Sequence, residues 1–497
     1  PGMSSIVPSI VPLPSNRDTQ VQHPGMSKLL NATDDEALLG TPEPPASPKK
    51  RVQALDAFRG FNIMLMIFVD NVGGTFPIID HSPWNGVRLA DLVMPWFDFM
   101  VGVSIALSFK RFVKPSGNRC QGLKKAMWRF VKIFVLGMLT QGCEDLFVCN
   151  LKYIRIMGIL QRVAVCFLIT ALVELYTGTE TLVRQHVDEG EEEAHQAVCK
   201  RSRGHLMCCF LLCTVWMCIM YGVDVPAAYG EQCGRGVLTP ACNAQRVVDA
   251  GVLGVNHMYY PTNGGDHAGR DITFERMPNC STCSPGKCVP PVNASVWCAK
   301  APFDPEGLVS SLTAAAGTSI GAHVGFVLLC LRKDTWRLRH WLGVGLLMIT
   351  VSLPFHYSGA QPWNTDLYTI TFLLLTSGLG CLMLALFYWL IEIQQRCMVV
   401  FRPMTWVGKN AITVYLLAES GFPQFLCSVF YINNDPQQNL SNILWPTGTY
   451  WGDKGQDDHR PLEPSRNWYI VVWALGYISV WTGVAWKMHQ NKWYVKL

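Results

Sequence analysis

The chain has 497 residues, of which 49% are hydrophobic and only 15% are charged. Soluble proteins carry about 25% charged residues, so this composition excludes an ordinary cytosolic enzyme and favours a membrane protein. The formal net charge is only +5, and the Lys and Arg residues form no stripe of the kind that indicates nucleic-acid binding.

The first 50 residues are rich in Pro, Ser and acidic side chains and have no apolar period. Such a segment buries too little surface to offset its chain entropy, so we expect a disordered tail over residues 1–50. Within the tail, Asp34 stands four positions before the pair Leu38 and Leu39. This pattern is typical of dileucine sorting signals for lysosomes or vacuoles.

Residues 51–497 contain about ten apolar stretches, each long enough to cross the hydrocarbon core of a bilayer as a helix. They are centred near residues 66, 99, 134, 166, 214, 320, 347, 378, 413 and 476. The sequence therefore predicts an all-α, polytopic membrane domain of about ten transmembrane helices.

Lys and Arg residues cluster before the first span, after the second, between the sixth and seventh, and after the tenth. If ten spans alternate in direction, all of these clusters lie on one face, which the positive-inside rule assigns to the cytosol. We therefore expect both termini in the cytosol and two long luminal loops near residues 224–306 and 424–466.

The first luminal loop is rich in cysteine. Its cysteines are Cys233, Cys242, Cys280, Cys283, Cys288 and Cys298. Cys280 and Cys283 have the spacing of half a zinc site, but no matching pair of ligands follows, so disulfides are favoured over a metal. Glycosylation sequons begin at Asn279, Asn293 and Asn439, and we expect a disulfide-rich, glycosylated luminal side.

Ionisable residues are concentrated in the turn between the first two spans. His81 lies in this turn, where an imidazole that is neutral near pH 5 to 7 can accept a proton or attack a carbonyl carbon. Asp70 at the end of span one or Asp91 at the start of span two could orient the ring. The alternative is a loop histidine with only local hydrogen bonds, beside aspartates that cap helices.

A second polar group opens the fourth span. Arg155 and Arg162 are seven residues apart and are expected on one helix face, with Gln161 adjacent. Two guanidinium groups there could hold a phosphate or carboxylate, and anchoring at the membrane interface is the alternative.

Three other ionisable positions have less specific interpretations. His323 in span six is expected to be a satisfied core histidine, and Asp56 and Arg59 are expected to form a local pair. Asp98 lies seven residues after Asp91 and either lines a polar cavity or pairs with a neighbouring helix.

Several short motifs occur in a fixed order over residues 50–497. They are Leu55–Gly60, Asp80–Gly86, Ala90–Pro95, Arg155–Arg162, Thr239–Asn243, Asn256–Tyr259, Phe303–Gly307, Pro362–Asn364 and Gly408–Asn410. In this order they resemble the heparan-alpha-glucosaminide N-acetyltransferase family, and especially its plant-type members. Asp70 stands where the animal-type members have Asn.

The resemblance implies that acetyl-CoA enters from the cytosol and that its acetyl group is transferred to the amine of a luminal glucosaminide. The active-site histidine of the family corresponds to His81, which acts either through an acetyl-histidine intermediate or by direct transfer in a ternary complex. The residues implied to contact substrate or CoA are Trp84, Asn85, Arg155, Gln161, Arg162, His257, Glu306, Asn364 and Asn410. The resemblance also implies a lysosomal or vacuolar membrane and a homodimer.

The rival hypothesis is a membrane transporter of a small polar or acidic solute that uses the same buried charges. Transporters often contain inverted repeats and helices broken near the midplane, and we find no such pair in this sequence. The resemblance implies an acetyl-CoA-dependent acyltransferase, and this function is favoured over the transporter. Its partners would be the lipid bilayer and an amino-sugar or oligosaccharide acceptor, with no metal cofactor.

Overall fold

The structure, a computed structural model, describes most of the chain from residue 52 onward. The described residues are 52–73, 75, 76, 78–113, 117–141, 151, 154–178, 190–226, 233–240, 242–259, 303–395, 398–419, 427, 429, 430 and 464–495. The tail over residues 1–50, the three sequons and the four cysteines from Cys280 to Cys298 lie outside these ranges. The interpretations given to them stay predictions.

The regular structure of the described residues is helical, which confirms the predicted all-α class. The helices are α1 (Gln53–Val72), α2 (Val93–Val113), α3 (Arg119–Gln141), α4 (Ile159–Thr177), α5 (Glu191–Gly222), α6 (Ala244–Leu253), α7 (Leu308–Cys330), α8 (Asp334–Tyr357), α9 (Ile370–Tyr388), α10 (Met398–Lys409), α11 (Ala411–Glu419) and α12 (Pro464–Gln490). A 3-10 turn precedes α2 and another follows α6, and a π-helical turn extends α9.

Seven helical segments in the described part of the chain are long and apolar enough to cross a membrane. They are Ala90–Val113, Ile159–Thr177, Glu191–Gly222, Leu308–Cys330, Asp334–Tyr357, Ile370–Ile393 and Trp468–Gln490. Helices α1 and α3 occupy the positions of two further predicted spans and carry more charged residues. The polytopic membrane architecture is thus confirmed.

The predicted span centred near residue 413 differs from expectation because it is divided into α10 and α11. At the junction, the backbone N–H of Asn410 donates to the carbonyl of Val407, three residues back rather than four. Asn favours such local alternatives to the helical ladder because its short amide competes with the backbone for hydrogen bonds. The chain therefore turns at Asn410 before helix resumes.

Helix α7 lies at the centre of the bundle and contacts α2, α4, α5 and α9. Small residues allow its backbone to approach α2 closely. A Cβ atom on Gly321 would lie 2.0 Å from the carbonyl oxygen of Phe99, and one on Gly102 would lie 1.9 Å from that of Thr318. Lipid supplies no hydrophobic force between helices, so close backbone packing of this kind is what associates them.

Helices α5, α8 and α12 lie at the outside of the bundle. Only 17%, 17% and 28% of their most apolar windows are buried, compared with 83% for α7. Their outward apolar side chains include Phe210, which is 75% exposed, and Val472, which is 65% exposed. Apolar surface of this extent is what a lipid-facing helix presents.

Two polar groups of the helices have the kind of partner that the sequence predicted. His323 is confirmed as a satisfied core histidine, because its ring nitrogens lie 2.9 Å from Ser202 Oγ and 3.2 Å from His340 Nε2. The predicted pair of Asp56 and Arg59 is also confirmed, at 3.5 Å.

A small layer of loops and the short helix α6 lies at the predicted luminal ends of the spans. A disulfide joins Cys233 to Cys242, which confirms one bond of the predicted set. Oδ1 of Asp249 on α6 accepts the backbone N–H groups of Leu308 and Val309 at 3.1 and 3.2 Å, and so caps the N-terminus of α7. This layer is therefore fastened to the central helix.

We predict that Gly321→Ala lowers the melting temperature of the detergent-solubilised protein. The added methyl group meets the backbone of α2, and overpacking of this kind costs about 1–3 kcal/mol. Gly343→Ala is the matched control, since a Cβ atom there meets nothing within 4 Å. That substitution should leave the melting temperature unchanged or raise it, because Ala favours helix over Gly. Equal melting temperatures for both variants would contradict the close packing of α2 on α7.

Candidate active site

A histidine and a buried aspartate meet at the turn between α1 and α2. The side chain of His81 is 60% exposed, whereas that of Asp91 is fully buried. Nδ1 of His81 lies 2.8 Å from Oδ1 of Asp91, and the other carboxylate oxygen accepts the backbone N–H groups of Ser82 and Arg88 at 3.2 and 2.9 Å. Asp91 is thus held rigidly and fixes the ring through Nδ1. Nε2 is the nitrogen left for chemistry.

Local hydrogen bonds fix the backbone on which His81 is carried. The Asp80 carboxylate accepts the His81 backbone N–H at 2.8 Å, and the Arg88 guanidinium donates to the His81 carbonyl at 3.1 Å. Ser82 Oγ donates to the carbonyl of Gly86 at 3.2 Å. Gly86 has a φ of 117°, which a side chain would disfavour, so glycine permits this tight turn.

Hydrogen bonds join the His81 turn to the loop that precedes α9. Asn85 and Asn364 form an isolated antiparallel bridge, and the Asn364 amide donates to Asn85 Oδ1 at 3.3 Å. The Gly86 N–H donates to the carbonyl of Trp363 at 2.8 Å. The structure therefore brings together two motifs that are almost 280 residues apart in sequence.

Trp84 anchors the same turn to the luminal layer. Its side chain is only 1% exposed, its indole N–H donates to the carbonyl of Leu238 at 2.9 Å, and its ring lies edge-on to Phe303 at 5.7 Å. These contacts surround the ring on several sides. The structure therefore places the Trp84 ring inside the packed layer rather than on an open surface.

The charge around His81 favours its protonated form. Partial removal from water lowers the pKa of His81, but the hydrogen bond and charge of Asp91, together with the charges of Asp70 and Asp366, outweigh this and raise it to about 9. The sequence predicted a ring that can be neutral near pH 5 to 7. The structure differs because Asp91 is buried and its charge is therefore weakly screened.

Asp366 is a site residue that the sequence reasoning missed. It is half-buried in the loop before α9, and burial, with the charges of Asp91 and Glu306, raises its pKa to about 7 against the opposing effect of His81 and Arg162. The available signal was its position two residues beyond the Pro362–Asn364 motif. With the exposed Asp70 at the end of α1, it makes the mouth of the site electronegative.

Arg155 forms a dense ion-pair network below the luminal layer. Its Nη2 lies 2.8 Å from Asp304 Oδ1 and 2.5 Å from Glu306 Oε2, and its guanidinium lies 4.3 Å from the centroid of the Tyr259 ring. Although burial alone would favour the neutral form of Arg155, the two carboxylates raise its pKa above the usual value. The guanidinium is thus already bound to two acids, which hold the segment before α7 in place.

The expectation that Arg155 and Arg162 share a helix face is wrong. Helix α4 begins at Ile159, and its N-cap residue Gly158 is fully extended, with φ −168° and ψ −175°. Arg155 therefore lies in the extended segment before the helix. His257 holds that segment, because its Nδ1 lies 2.8 Å from the Ile154 carbonyl oxygen.

Several predicted site residues lie deeper, among buried polar groups. The Arg162 guanidinium donates to the Pro305 carbonyl at 3.4 Å and lies 5.4 Å from the Tyr368 ring centroid. The carboxylate of Asp98 and the amide of Gln161 are fully buried, and no hydrogen-bond partner is present for their oxygen and nitrogen atoms. Unpartnered polar atoms are costly in a membrane bundle, and they indicate where water or a ligand supplies the missing bonds.

The remaining predicted residue, Asn410, lies at the junction of α10 and α11. It is 2% exposed, and its amide also has no hydrogen-bond partner. Glu306 joins the site by charge as well as through Arg155, because Arg155, Arg162 and His81 together lower its pKa against the effect of burial. Within the described residues, no group of three His, Cys, Asp or Glu side chains is placed to hold a metal ion.

We predict that neutral His81, which is the form that diethyl pyrocarbonate modifies, appears only at alkaline pH. The modification rate of His81 should rise with a midpoint near 9, since the folded protein holds the proton above its ordinary pKa. Asp91→Asn should move the midpoint towards 6.5, so that the variant reacts faster at neutral pH. Mass spectrometry would measure His81 relative to His489 in the same sample.

The matched control for this experiment is Asp224→Asn, which removes an exposed carboxylate on the same predicted face of the membrane. It should leave the His81 midpoint unchanged. A wild-type midpoint near 6.5, or one that Asp91→Asn does not move, would show that Asp91 does not stabilise the charged ring.

One region of the chain, which includes the His81 turn, matches a known protein family. Residues 51–184 match the family model described as heparan-alpha-glucosaminide N-acetyltransferase, catalytic. The chain is similar to the heparan-alpha-glucosaminide N-acetyltransferase of Mus musculus, with 24% identity over 398 residues that cover 77% of this chain and 56% of the mouse protein. It is also 24% identical to the Homo sapiens protein over 389 residues, which cover 75% of this chain and 54% of that protein.

The chain thus spans about half the length of the curated relatives it matches. The resemblance that the motifs indicated is confirmed: this chain is similar to members of the heparan-alpha-glucosaminide N-acetyltransferase family. The matched region contains His81, Asp91 and the whole turn that joins them.

Proposed function

We propose that this protein is a membrane-embedded acetyltransferase, in which an acetyl group passes from acetyl-CoA to the amine of an amino sugar at His81. The observation that carries the proposal is the contact of 2.8 Å between the exposed His81 ring and the fully buried Asp91 carboxylate. It lies inside the region that matches the catalytic family model. A carboxylate that fixes Nδ1 and leaves Nε2 exposed is the arrangement used by general bases and nucleophiles.

In the direct route, Nε2 of His81 takes a proton from the ammonium group of the acceptor. The free amine then attacks the carbonyl carbon of the thioester and the carbon–sulfur bond breaks. The proton that the attacking nitrogen loses on becoming an amide passes to the departing CoA sulfur, and the imidazolium releases its own proton to water. Asp91 stabilises the imidazolium formed in the first step. Transfer requires both substrates at one ring, which removes much of the entropic barrier.

In the covalent route, neutral Nε2 attacks the thioester carbonyl carbon and displaces the CoA thiolate. The acetyl-imidazole formed is then attacked by the free amine, which restores the neutral ring and releases a proton. Both routes begin from the neutral ring. With a pKa of about 9, only about one ring in a hundred is neutral at pH 7, so the site must lose a proton before transfer.

Binding of the acceptor explains why His81 loses its proton. Amino sugars arrive largely as ammonium ions, and the carboxylates of Asp70 and Asp366 near His81 attract a cation. Once bound, the ammonium group competes with the imidazolium for those carboxylates, and like charges lower each other's pKa. Binding of the acceptor therefore promotes release of the proton that blocks the ring.

The donor would approach from within the bundle. Asp98, Gln161 and Arg162 carry buried polar atoms without hydrogen-bond partners, which suit the polar amides of an extended thioester arm. In the predicted orientation, these groups lie deeper in the bundle than His81, towards the cytosolic side from which the resemblance implies that acetyl-CoA enters. The disulfide between Cys233 and Cys242 is consistent with an oxidising lumen on the opposite side, as in a lysosome or vacuole.

The unpartnered polar atoms of Asp98 and Gln161 also suit a transporter, which passes a solute through the bundle. Proteoliposomes distinguish the two functions. Acetyl-CoA supplied outside and glucosamine trapped inside should give N-acetylglucosamine inside, without net movement of unmodified sugar. Net transport of the unmodified sugar with no acetylated product would favour the transporter and contradict the acetyltransferase.

We predict that His81→Ala abolishes acetyl transfer in this assay, because it removes the ring proposed to accept the proton or the acetyl group. Asp91→Asn should lower kcat by roughly 10²–10⁴-fold, since the amide neither fixes the required tautomer nor stabilises the imidazolium. His489→Ala, at the far end of α12, is the matched histidine control and should retain full activity. Turnover by His81→Ala close to that of the wild type would refute the role of His81.

We predict that Asp366→Asn raises KM for the amino-sugar acceptor more than it lowers kcat, because it removes a charge that attracts the ammonium group. The KM for acetyl-CoA should change little. Initial rates at varied acceptor concentration would measure the effect, with Asp224→Asn as a control carboxylate on the same predicted face. An unchanged acceptor KM would mean that Asp366 does not contribute to acceptor binding.

A further inference from the structure

One stretch of the chain carries positive charge without any negative charge. Between Asp98 and Glu144 there is no Asp or Glu residue. The same stretch contains eight cations, which are Lys110, Arg111, Lys114, Arg119, Lys124, Lys125, Arg129 and Lys132. The proposed acetyl transfer at His81 makes no use of this asymmetry.

The end of α2 and the beginning of α3 enclose an open cleft of about 730 Å³, a size typical of sites for small ligands. Its lining combines cations, amides and aromatic rings. The lining residues are Arg111, Phe112, Gly117, Asn118, Gln121, Lys124, Lys125 and Trp128. We call this feature the α2–α3 cleft.

Two of these cations contact the Phe112 ring. The Arg111 guanidinium lies 4.7 Å from the ring centroid, and the Lys125 ammonium lies 5.9 Å from it. Cation–π contacts stabilise each group, but two positive charges on one ring also repel each other. Both charges line the same cleft, so an anion bound in the cleft is attracted by more than one cation.

The α2–α3 cleft also receives the positive end of a long helix. Helix α3 begins at Arg119 and continues for 23 residues. Asn118 caps it, since its side chain accepts the Gln121 N–H at 3.0 Å. The partial positive charge of a helix N-terminus adds to the charge of the side chains and favours a phosphate group.

The position of the α2–α3 cleft indicates which kind of anion binds there. It lies at the ends of two predicted spans, on the face predicted to be cytosolic. Trp128 at its edge is 62% exposed, with the Lys132 ammonium 5.4 Å from its ring centroid. Exposed Trp beside Lys at the end of a membrane helix is typical of the bilayer interface, where lipid headgroups lie.

We propose that the α2–α3 cleft binds the phosphate-bearing headgroup of an anionic lipid from the cytosolic leaflet. Basic pockets between transmembrane helices at this depth are suited to such headgroups. Arg111, Lys124 and Lys125 contact the phosphate, while the apolar residues along α3 contact the acyl chains. The site depends on the predicted orientation of the chain and not on acetyl transfer.

The test compares the full-length protein in nanodiscs of phosphatidylcholine alone and of phosphatidylcholine with phosphatidic acid, whose headgroup is a phosphate monoester. Native mass spectrometry should detect phosphatidic acid retained by the wild type, and the melting temperature should rise with its content. Lys124→Gln with Lys125→Gln should weaken retention roughly thirtyfold, as each cation near the surface contributes about 1 kcal/mol.

The matched control is Lys200→Gln with Arg203→Gln, which removes the same charge from exposed positions on α5, on the same predicted face. It should retain the lipid as the wild type does, as should Lys124→Arg with Lys125→Arg. Size-exclusion chromatography would check that each variant folds. Equal losses in the Lys124/Lys125 and Lys200/Arg203 glutamine variants would overturn the proposal, because they would indicate general surface attraction.

A further arm separates the lipid from free phosphate. Glycerol phosphate added to phosphatidylcholine nanodiscs should neither raise the melting temperature nor displace bound phosphatidic acid at similar concentration. If the soluble phosphate binds as well as the lipid, the site takes free phosphate and the lipid assignment is overturned. Absence of retained phosphatidic acid in the wild type would overturn it as well.

Discussion

The hydrogen bond between Asp91 and His81 is the interaction on which the proposed site depends. A carboxylate with no exposure to water would be unstable as an isolated charge, so it needs partners that stay in place. It has two backbone N–H groups and one imidazole nitrogen. Because these partners belong to a single turn, the charge of Asp91 determines both the shape of the turn and the protonation of the ring.

The loops around the His81 turn support it from several directions. The bridge between Asn85 and Asn364 joins it to the loop before α9, and Trp84 joins it to the layer that contains the disulfide. The ion pairs of Arg155 hold that layer to the start of α7. A reactive group that is exposed to water is thereby carried on a rigid support, which is what precise positioning of two substrates requires.

The helices and the pairing of His81 with a nearby aspartate could be predicted because both are local in sequence. Apolar stretches of sufficient length determine the spans, and Asp91 is only ten residues from His81. Asp366 was missed because its proximity to His81 depends on how distant helices pack, which no local pattern encodes. The start of α4 was misplaced because residues around Gly158 are compatible with helix by composition, and only tertiary contacts keep that segment extended.

The contact between α1 and α10 has a mechanical consequence for the mouth of the site. A Cβ atom on Gly60 would lie 1.8 Å from the Met404 carbonyl oxygen, and one on Gly408 would lie 1.8 Å from that of Asp56. The backbones of α1 and α10 are therefore in direct contact near Gly60. Asp70 lies roughly 15 Å farther along α1. A tilt of α1 by about 5° about this contact displaces Asp70 by about 1 Å. A displacement of that size is sufficient to impair catalysis. Because Asp70 lies far from this contact, the geometry at the His81 end of α1 is sensitive to a single methyl group placed at Gly60 or Gly408.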